Sequence, residues 1–402
     1  MEPHIKGEWV WGVAESAHQV EGGTRNDWTL WERETAARSA ARARGRIWPE
    51  YIRAGFPSPL DEANYISGDA ADQRHRFRED IELASRLGIN AFRMSIEWSR
   101  VEPEAGVFDE TAIRHYREVF AVLRARRIKP FVTLWHWTHP AWFADAGGWK
   151  SPSAIDDFCR YAKRMAHEFK DDVSDWILLN EPGLWAADAH LFGRIPPGEK
   201  SIRSLVRAYF TLMNAHRRAY AIVKERNPQN RVGIAESMEY MAHGIVRPLF
   251  DYLRNFYFIR SVLDSLDFIG INYYKRVSLW RKNSDRCSDT GWEIYPEGLG
   301  YFLRKSAQFG KPLYVTENGI ADARDAKRPE FIRRHAEEAI SARASGVPVK
   351  GYFYWSLIDN FEWADGFWPR FGLYEIDYRT QERRERPSAL VYKEIIARNQ
   401  NE

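Results

Sequence analysis

The chain has 402 residues, 44% of them hydrophobic and 29% charged, a balance that fits a folded globular protein and sets aside disordered and collagen-like classes. Its 59 Lys and Arg against 56 Asp and Glu leave a formal charge of +3, too small and too scattered to indicate a nucleic-acid partner. The two cysteines, Cys159 and Cys287, stand far apart and outside any CxxC spacing, so neither a disulfide framework nor a zinc site is expected.

The N-terminal stretch Met1 to Val13 has no basic segment leading into an apolar one, and nowhere do 18 apolar residues run together. The expectation is a cytoplasmic protein with no membrane association. Eight short apolar or β-branched runs recur along the chain: Trp9–Ala14, Ala91–Ile96, Pro130–Leu134, Trp176–Leu179, Val232–Ala235, Phe268–Tyr273, Pro312–Thr316 and Val349–Trp355. Between them apolar side chains return every three or four residues, as in Phe77, Ile81 and Ala84, in Ile113, Tyr116, Phe120 and Leu123, and in Ile155, Phe158, Ala162 and Met165. Strand-length runs alternating with helical periods indicate βαβ units and a parallel sheet. Eight units of about 50 residues fit an α/β fold of the (β/α)8 TIM-barrel type better than a doubly wound sheet. No GxGxxG follows the first run, which removes the main sign of a dinucleotide fold. No Pro-, Gly- or Ser-rich linker divides the chain, so residues 1–402 are expected to form a single catalytic domain. The long segments Arg25–Ser67 and Lys275–Lys311 follow the first and sixth runs, where excursions of a barrel build the mouth of its site. The basic run Ala36–Arg46 reads as a solvated face or loop.

In such a barrel the reactive side chains project from the C-terminal ends of the strands. Those positions hold Gln19 and Glu21, Arg93 and Glu97, His136 and Trp137, Asn180 and Glu181, Asn272 to Tyr274, Glu317 to Gly319, and Trp355 followed by Asn360, Glu362 and Trp363. Glu181 and Glu317 each end a β-branched or leucine-rich run, where a buried strand has no structural use for a charge. Two carboxylates facing one cleft among aromatics are the apparatus for breaking a glycosidic bond. The 14% aromatic content agrees, because aromatic faces pack against the C–H faces of sugars. The pair His136 and His139 lacks an evident third ligand, no HExxH is present, and no GxSxG marks a serine hydrolase, so no metal is expected.

At these residues the chain resembles glycoside hydrolase family 1, the retaining β-glucosidases and β-galactosidases. The similarity rests on WGVAESAHQVEG (11–22), the long block 67–103, WILLNEP (176–182), INYY (271–274), VTENG (315–319) and the block 351–378, in the family's order over essentially the whole chain. The resemblance implies that Glu181 is the general acid/base and Glu317 the nucleophile, with carboxyl groups about 5–5.5 Å apart, the retaining spacing. It implies that Gln19, His136, Trp137, Asn180, Glu362 and Trp363 hold the hydroxyls of the terminal sugar, with Trp355 under its ring and Phe371 on the wall. Arg93 and Tyr274 would contact the nucleophile, Arg93 lowering its pKa and Tyr274 fixing its rotamer. Implied too are hydrolysis of terminal β-D-glucosyl, galactosyl or fucosyl residues, small-molecule β-glycosides or oligosaccharides as partners, no cofactor, and room for a homo-oligomer. A transglycosylase and a non-catalytic sugar-binding barrel are the alternative readings.

Three departures bear on detail. The chain is shorter than most of the family, so mouth loops should be trimmed, which leaves leaving-group preference open. Thr138-His139-Pro140 stands where the family often has Asp-Leu-Pro, so His139 is expected near the cleft edge. No lysine of the phospho-sugar branch occurs at 364–372, and Glu181 is not the glutamine of plant thioglucosidases, so unphosphorylated O-glycosides are expected. Glu97 and Asp69 are expected in barrel salt bridges, and His18, His75, Arg76, Arg100 and Arg370 in structural or solvated roles.

Overall fold

In the structure, a computed structural model, residues 9–278 and 284–400 are described. Residues 1–8 of the N-terminal stretch and 279–283 of the segment Lys275–Lys311 lie outside the described residues. The eight apolar runs become the parallel strands β1 (Val10–Ala14), β2 (Ala91–Ser95), β3 (Lys129–Trp135), β4 (Asp175–Asn180), β5 (Arg231–Met241), β6 (Phe268–Val277), β7 (Leu313–Asn318) and β8 (Val349–Trp355). They hydrogen-bond in chain order and close, β8 pairing with β1 through Val10–Ala14 against Gly351–Trp355. This is the expected (β/α)8 barrel.

Side-chain alternation decides what each face packs. Outward residues such as Trp11 and Val13 of β1, Val132 and Leu134 of β3, and Trp176 and Leu178 of β4 are buried in the core between strands and helices. Inward residues form a separate cluster of Ala14, Ala91, Phe131, Ile177, Ala235, Phe268, Tyr314, Phe353 and Trp355. The Phe131 ring lies 4.9 Å from Phe353 and 5.4 Å from Tyr314, filling the barrel with edge-to-face aromatics. Glycine makes the space: a Cβ on Gly12 would sit 2.4 Å from the Phe353 ring, and one on Gly233 2.4 Å from Phe268.

The helices Gln73–Arg86, Glu110–Ala125 and Ala154–Glu168 fall on the expected periods, and every residue of those three apolar sets is buried except half-buried Ile155. The segment Arg25–Ser67 opens with the helix Asp27–Arg44, started by a capping box between Asn26 and Thr29. Its basic run is the last turns of that helix: Ala36, Ala40 and Ala43 pack against Tyr65, while Arg38, Arg42 and Arg44 stay exposed. Strand register slips between Ile177 and Asn180 on β4, at Ile271/Asn272 on β6 and between Val315 and Asn318 on β7. Such irregularities re-aim the side chains that follow, here at the ends of the strands that carry the two glutamates. An antiparallel hairpin, β9 (Tyr374–Asp377) with β10 (Glu382–Glu385), precedes the C-terminal helix Pro387–Gln400. Among the described residues, no helix is long and apolar enough to cross a membrane.

Candidate active site

Glu317, 4% exposed near the end of β7, is held at both oxygens. The Arg93 guanidinium donates to its Oε1 at 2.6 Å, and the Tyr274 hydroxyl donates to its Oε2 at 2.7 Å. Arg93 is itself fully buried and also donates to the Thr316 carbonyl at 3.0 Å and to Asn180 Oδ1 at 2.6 Å. One cation from β2 thus ties the ends of β4 and β7 together. Glu181 follows β4 in a left-handed conformation (φ 45°) and starts the helix Pro182–Ala187, whose first position is a proline. Its Oε1 accepts from Asn272 Nδ2 at 2.9 Å, and the same amide reaches Asn180 Oδ1 at 3.1 Å. Both glutamates line one cavity of about 1450 Å³ at the C-terminal mouth of the barrel.

Burial pushes the Glu181 carboxyl up to about 8, and the neighbouring Glu317 charge adds to the rise. Glu317 is also pushed upward by burial, opposed by the Arg93 charge and the hydrogen bonds from Tyr274, Arg93 and Asn272. This corrects the expectation of a lowered value: Arg93 favours the ionised form, but desolvation outweighs it. The asymmetry survives, because Glu317 faces a buried cation and Glu181 does not.

The remaining expected residues converge on the same cavity. Gln19, just after β1, donates to Asn360 Oδ1 at 3.0 Å and to the Phe361 carbonyl at 2.8 Å, and lies 3.4 Å from Glu362 Oε2. Asn180, whose Oδ1 already accepts from Arg93 and Asn272, turns its amide to His136 Nε2 at 3.0 Å. His136 Nδ1 is then a buried donor with no partner among the described residues. Burial and Arg93 hold this imidazole well below its ordinary value, so it is neutral. Its ring stacks between Trp355 and Trp363 at 6.1 and 6.0 Å, and Trp137 packs 5.0 Å from Trp363. Trp137 and Trp363, like Glu181, have positive φ (75° and 48°), backbone strain gathered at the site.

Several expectations need correction. Phe371 does not line the cavity; it sits one layer back, 6.2 Å from the Tyr274 ring and 6.0 Å from Trp292, which form the wall in its place. His139 does not reach the cleft edge, because Asp27 captures its ring Nδ1 at 2.7 Å and aromatic neighbours bury it. Glu97 is held by neutral donors, Asn26, Ser99 and Thr138, rather than by a salt bridge, and Asp69 is exposed. His18 is structural as expected, bonded to Glu32 at 2.9 Å and stacked on Trp363. Among the described residues no group of three or more His, Cys, Asp or Glu is arranged to hold a metal ion.

The family description Glycosyl hydrolase family 1 matches residues 1–243 and 280–401. The chain belongs to that family. Beta-glucosidase A of Thermotoga maritima is 31% identical, the alignment covering 97% of each chain. The Beta-galactosidase of Pyrococcus woesei is 28% identical over 98% of this chain and 97% of the relative. The solved family 1 β-glucosidase of Thermotoga maritima in complex with isofagomine lactam superposes with a TM-score of 0.87 at 28% identity, covering 99% of both chains.

Within this family 1 site lie residues that sequence reasoning missed. Trp292, in the segment after β6, lines the cavity 5.6 Å from Tyr274. Glu236, within β5, is a third buried carboxyl, 1% exposed, behind the turn that carries Glu181. Its Oε1 accepts from the Ser237 N–H at 3.2 Å, while Oε2 has no hydrogen-bond partner among the described residues. Burial pushes it up to about 8, and its charge in turn raises Glu181. The signal in the sequence is a charge directly after the apolar run Val232–Ala235, the same kind of position as Glu181 and Glu317.

Proposed function

We propose that this chain is a retaining exo-β-glycosidase working as one catalytic domain, with Glu317 as nucleophile and Glu181 as acid/base. The observation that carries the assignment is that both carboxyls open into one cavity, Glu317 beside a buried arginine and Glu181 without one. The Glu317 carboxylate attacks the anomeric carbon while the Glu181 carboxylic acid gives its proton to the glycosidic oxygen, so the alcohol leaves neutral. Esterification removes the Glu317 charge, and with it one cause of the high Glu181 pKa. Glu181 is then more acidic and takes a proton from the attacking water, which releases the sugar with its configuration retained.

Gln19, His136, Asn180 and Glu362 supply donors and acceptors for the terminal sugar's hydroxyls, Trp355 and Trp363 its apolar face, and Trp137 lines the same cavity packed against Trp363. Small β-glucosides and β-galactosides are the partners this set fits. Similarity to a β-glucosidase and to a β-galactosidase supports both sugars.

The test is a 2-deoxy-2-fluoro-β-glucoside followed by peptide mass spectrometry. A stable adduct on the peptide containing Glu317 is expected. Glu317→Ala should lose about three orders of magnitude or more in kcat on any aryl β-glycoside. Glu181→Ala should keep much of its first step with a dinitrophenyl leaving group, which needs no proton. An adduct on another residue, or ordinary rates in Glu317→Ala, refutes the assignment.

A further inference from the structure

Among the described residues, nine of the fourteen exposed large hydrophobic side chains fall between Phe192 and Leu253. Exposed apolar residues scattered singly need no explanation, whereas a contiguous group marks a binding surface. Four of these, Phe192, Val206, Phe210 and Leu253, are 46–56% exposed and line the cavity that holds Glu181 and Glu317. Val206 and Phe210 continue one face of the helix Ile202–Arg226 with exposed Ile202, at spacings of four. Phe192 ends the π-helical turn Asp188–Phe192 that extends the helix begun at Glu181. Eleven residues at helical rise carry that wall about 16 Å away from the proton donor.

Chemistry fixes which end of the substrate meets this wall. Glu181 protonates the leaving oxygen, so the elements growing out of Glu181 flank the leaving group. Charged side chains on this side pair with one another: Arg194 with Asp188 at 3.3 Å, Lys275 with Glu239 at 2.8 Å, and Arg254 with Glu239 at 3.8 Å. Beyond them the wall that grows out from Glu181 is apolar at Phe192, Val206, Phe210 and Leu253, while Lys200, Arg38 and Arg42 also line the cavity. A second sugar resting on Phe210 and Leu253 would find no hydrogen-bond partner on those two side chains, which burial penalises. Resting on the hydrolase reading above, we propose that the leaving-group site of this chain is built for a long unbranched hydrocarbon, so that its preferred substrates are alkyl or lipid-like β-glycosides.

The experiment measures kcat/KM for butyl, hexyl, octyl and decyl β-D-glucosides below their micelle concentrations. These alcohols leave with nearly equal ease, so the slope against chain length reports burial in the groove. We expect kcat/KM to rise about two- to fourfold per methylene and then level off where the groove ends. In Phe210→Ser and Leu253→Ser the slope should fall to about half or less, each variant being compared with its own butyl glucoside so that a change in overall rate does not enter. A flat profile with the butyl glucoside turned over overturns the groove. A flat profile in a chain that self-associates, and that Phe210→Ser makes monomeric, overturns it as well, the patch then being an interface between copies. Failure to hydrolyse every alkyl glucoside and p-nitrophenyl β-D-glucoside alike would remove the hydrolase reading itself.

Discussion

Three buried carboxyls around one turn set the chemistry by their unequal surroundings. Glu317 has a guanidinium and a phenol on its oxygens, Glu181 one amide, and Glu236 a backbone N–H with one oxygen unpartnered. The alkaline limb of kcat/KM should therefore lie near the value of about 8 to which burial pushes Glu181. Glu236→Gln removes a charge that raises Glu181, so the limb should move to lower pH. The same substitution has a stability signature. Glu236 is raised from 4.5 to about 8 on folding, so its contribution is full below its unfolded pKa and is lost as pH rises through about 8. Over that window the loss is on the order of 5 kcal/mol. Glu236→Gln should thus raise Tm more at pH 8 than at pH 5; a gain independent of pH would count against titration of this group.

At the scale of elements, the site is a set of strand ends tied crosswise. Asn272 of β6 donates to Asn180 and Glu181 on the β4 side and accepts from Thr316 of β7 at 2.7 Å. Register slips at β4, β6 and β7 bring these groups within reach. Asn272→Ala leaves Asn180 and Thr316 short of a partner and should cost about 1–3 kcal/mol in denaturant unfolding. It also removes the hydrogen bond that lowers Glu181, so the alkaline limb should move to higher pH, the opposite of Glu236→Gln. Movement of both variants in one direction would mean that Glu181 is not the group titrating there.

At the scale of the whole molecule, the loop after β8 is fastened from both ends of the chain. Gln19, next to β1, holds Asn360 and Phe361, and Arg386, beyond β10, makes two 2.9 Å contacts with Asp359. Asp359 is fully buried, and the arginines Arg386 and Arg370 hold it below the usual carboxylate range. Its contribution is therefore present above its unfolded pKa and lost as pH falls below. Arg386→Ala strands most of that charge and should cost about 3–5 kcal/mol. Because Glu362 and Trp363 ride on the same loop, KM should rise as well, a change that steady-state kinetics on an aryl glycoside would register.

Much of this was legible in the residue order. Alternating apolar runs and helical periods determine a barrel, because a strand buried on both faces must be apolar throughout and its polar residues are then confined to the ends. Glu181, Glu317, Arg93 and Gln19 were recognisable for that reason: a charge or amide at such an end has no structural use. What only the tertiary structure decided are the relations that side-chain reach and burial create. Phe371 fell behind Trp292, His139 was captured by Asp27, and desolvation outweighed Arg93 at Glu317. Glu236 and the apolar wall from Phe192 to Leu253 acquired their meaning only by converging on Glu181 from distant parts of the chain. Periodicity follows from local geometry and can be read along a sequence, but solvent exclusion and the distance between two charges belong to the assembled fold.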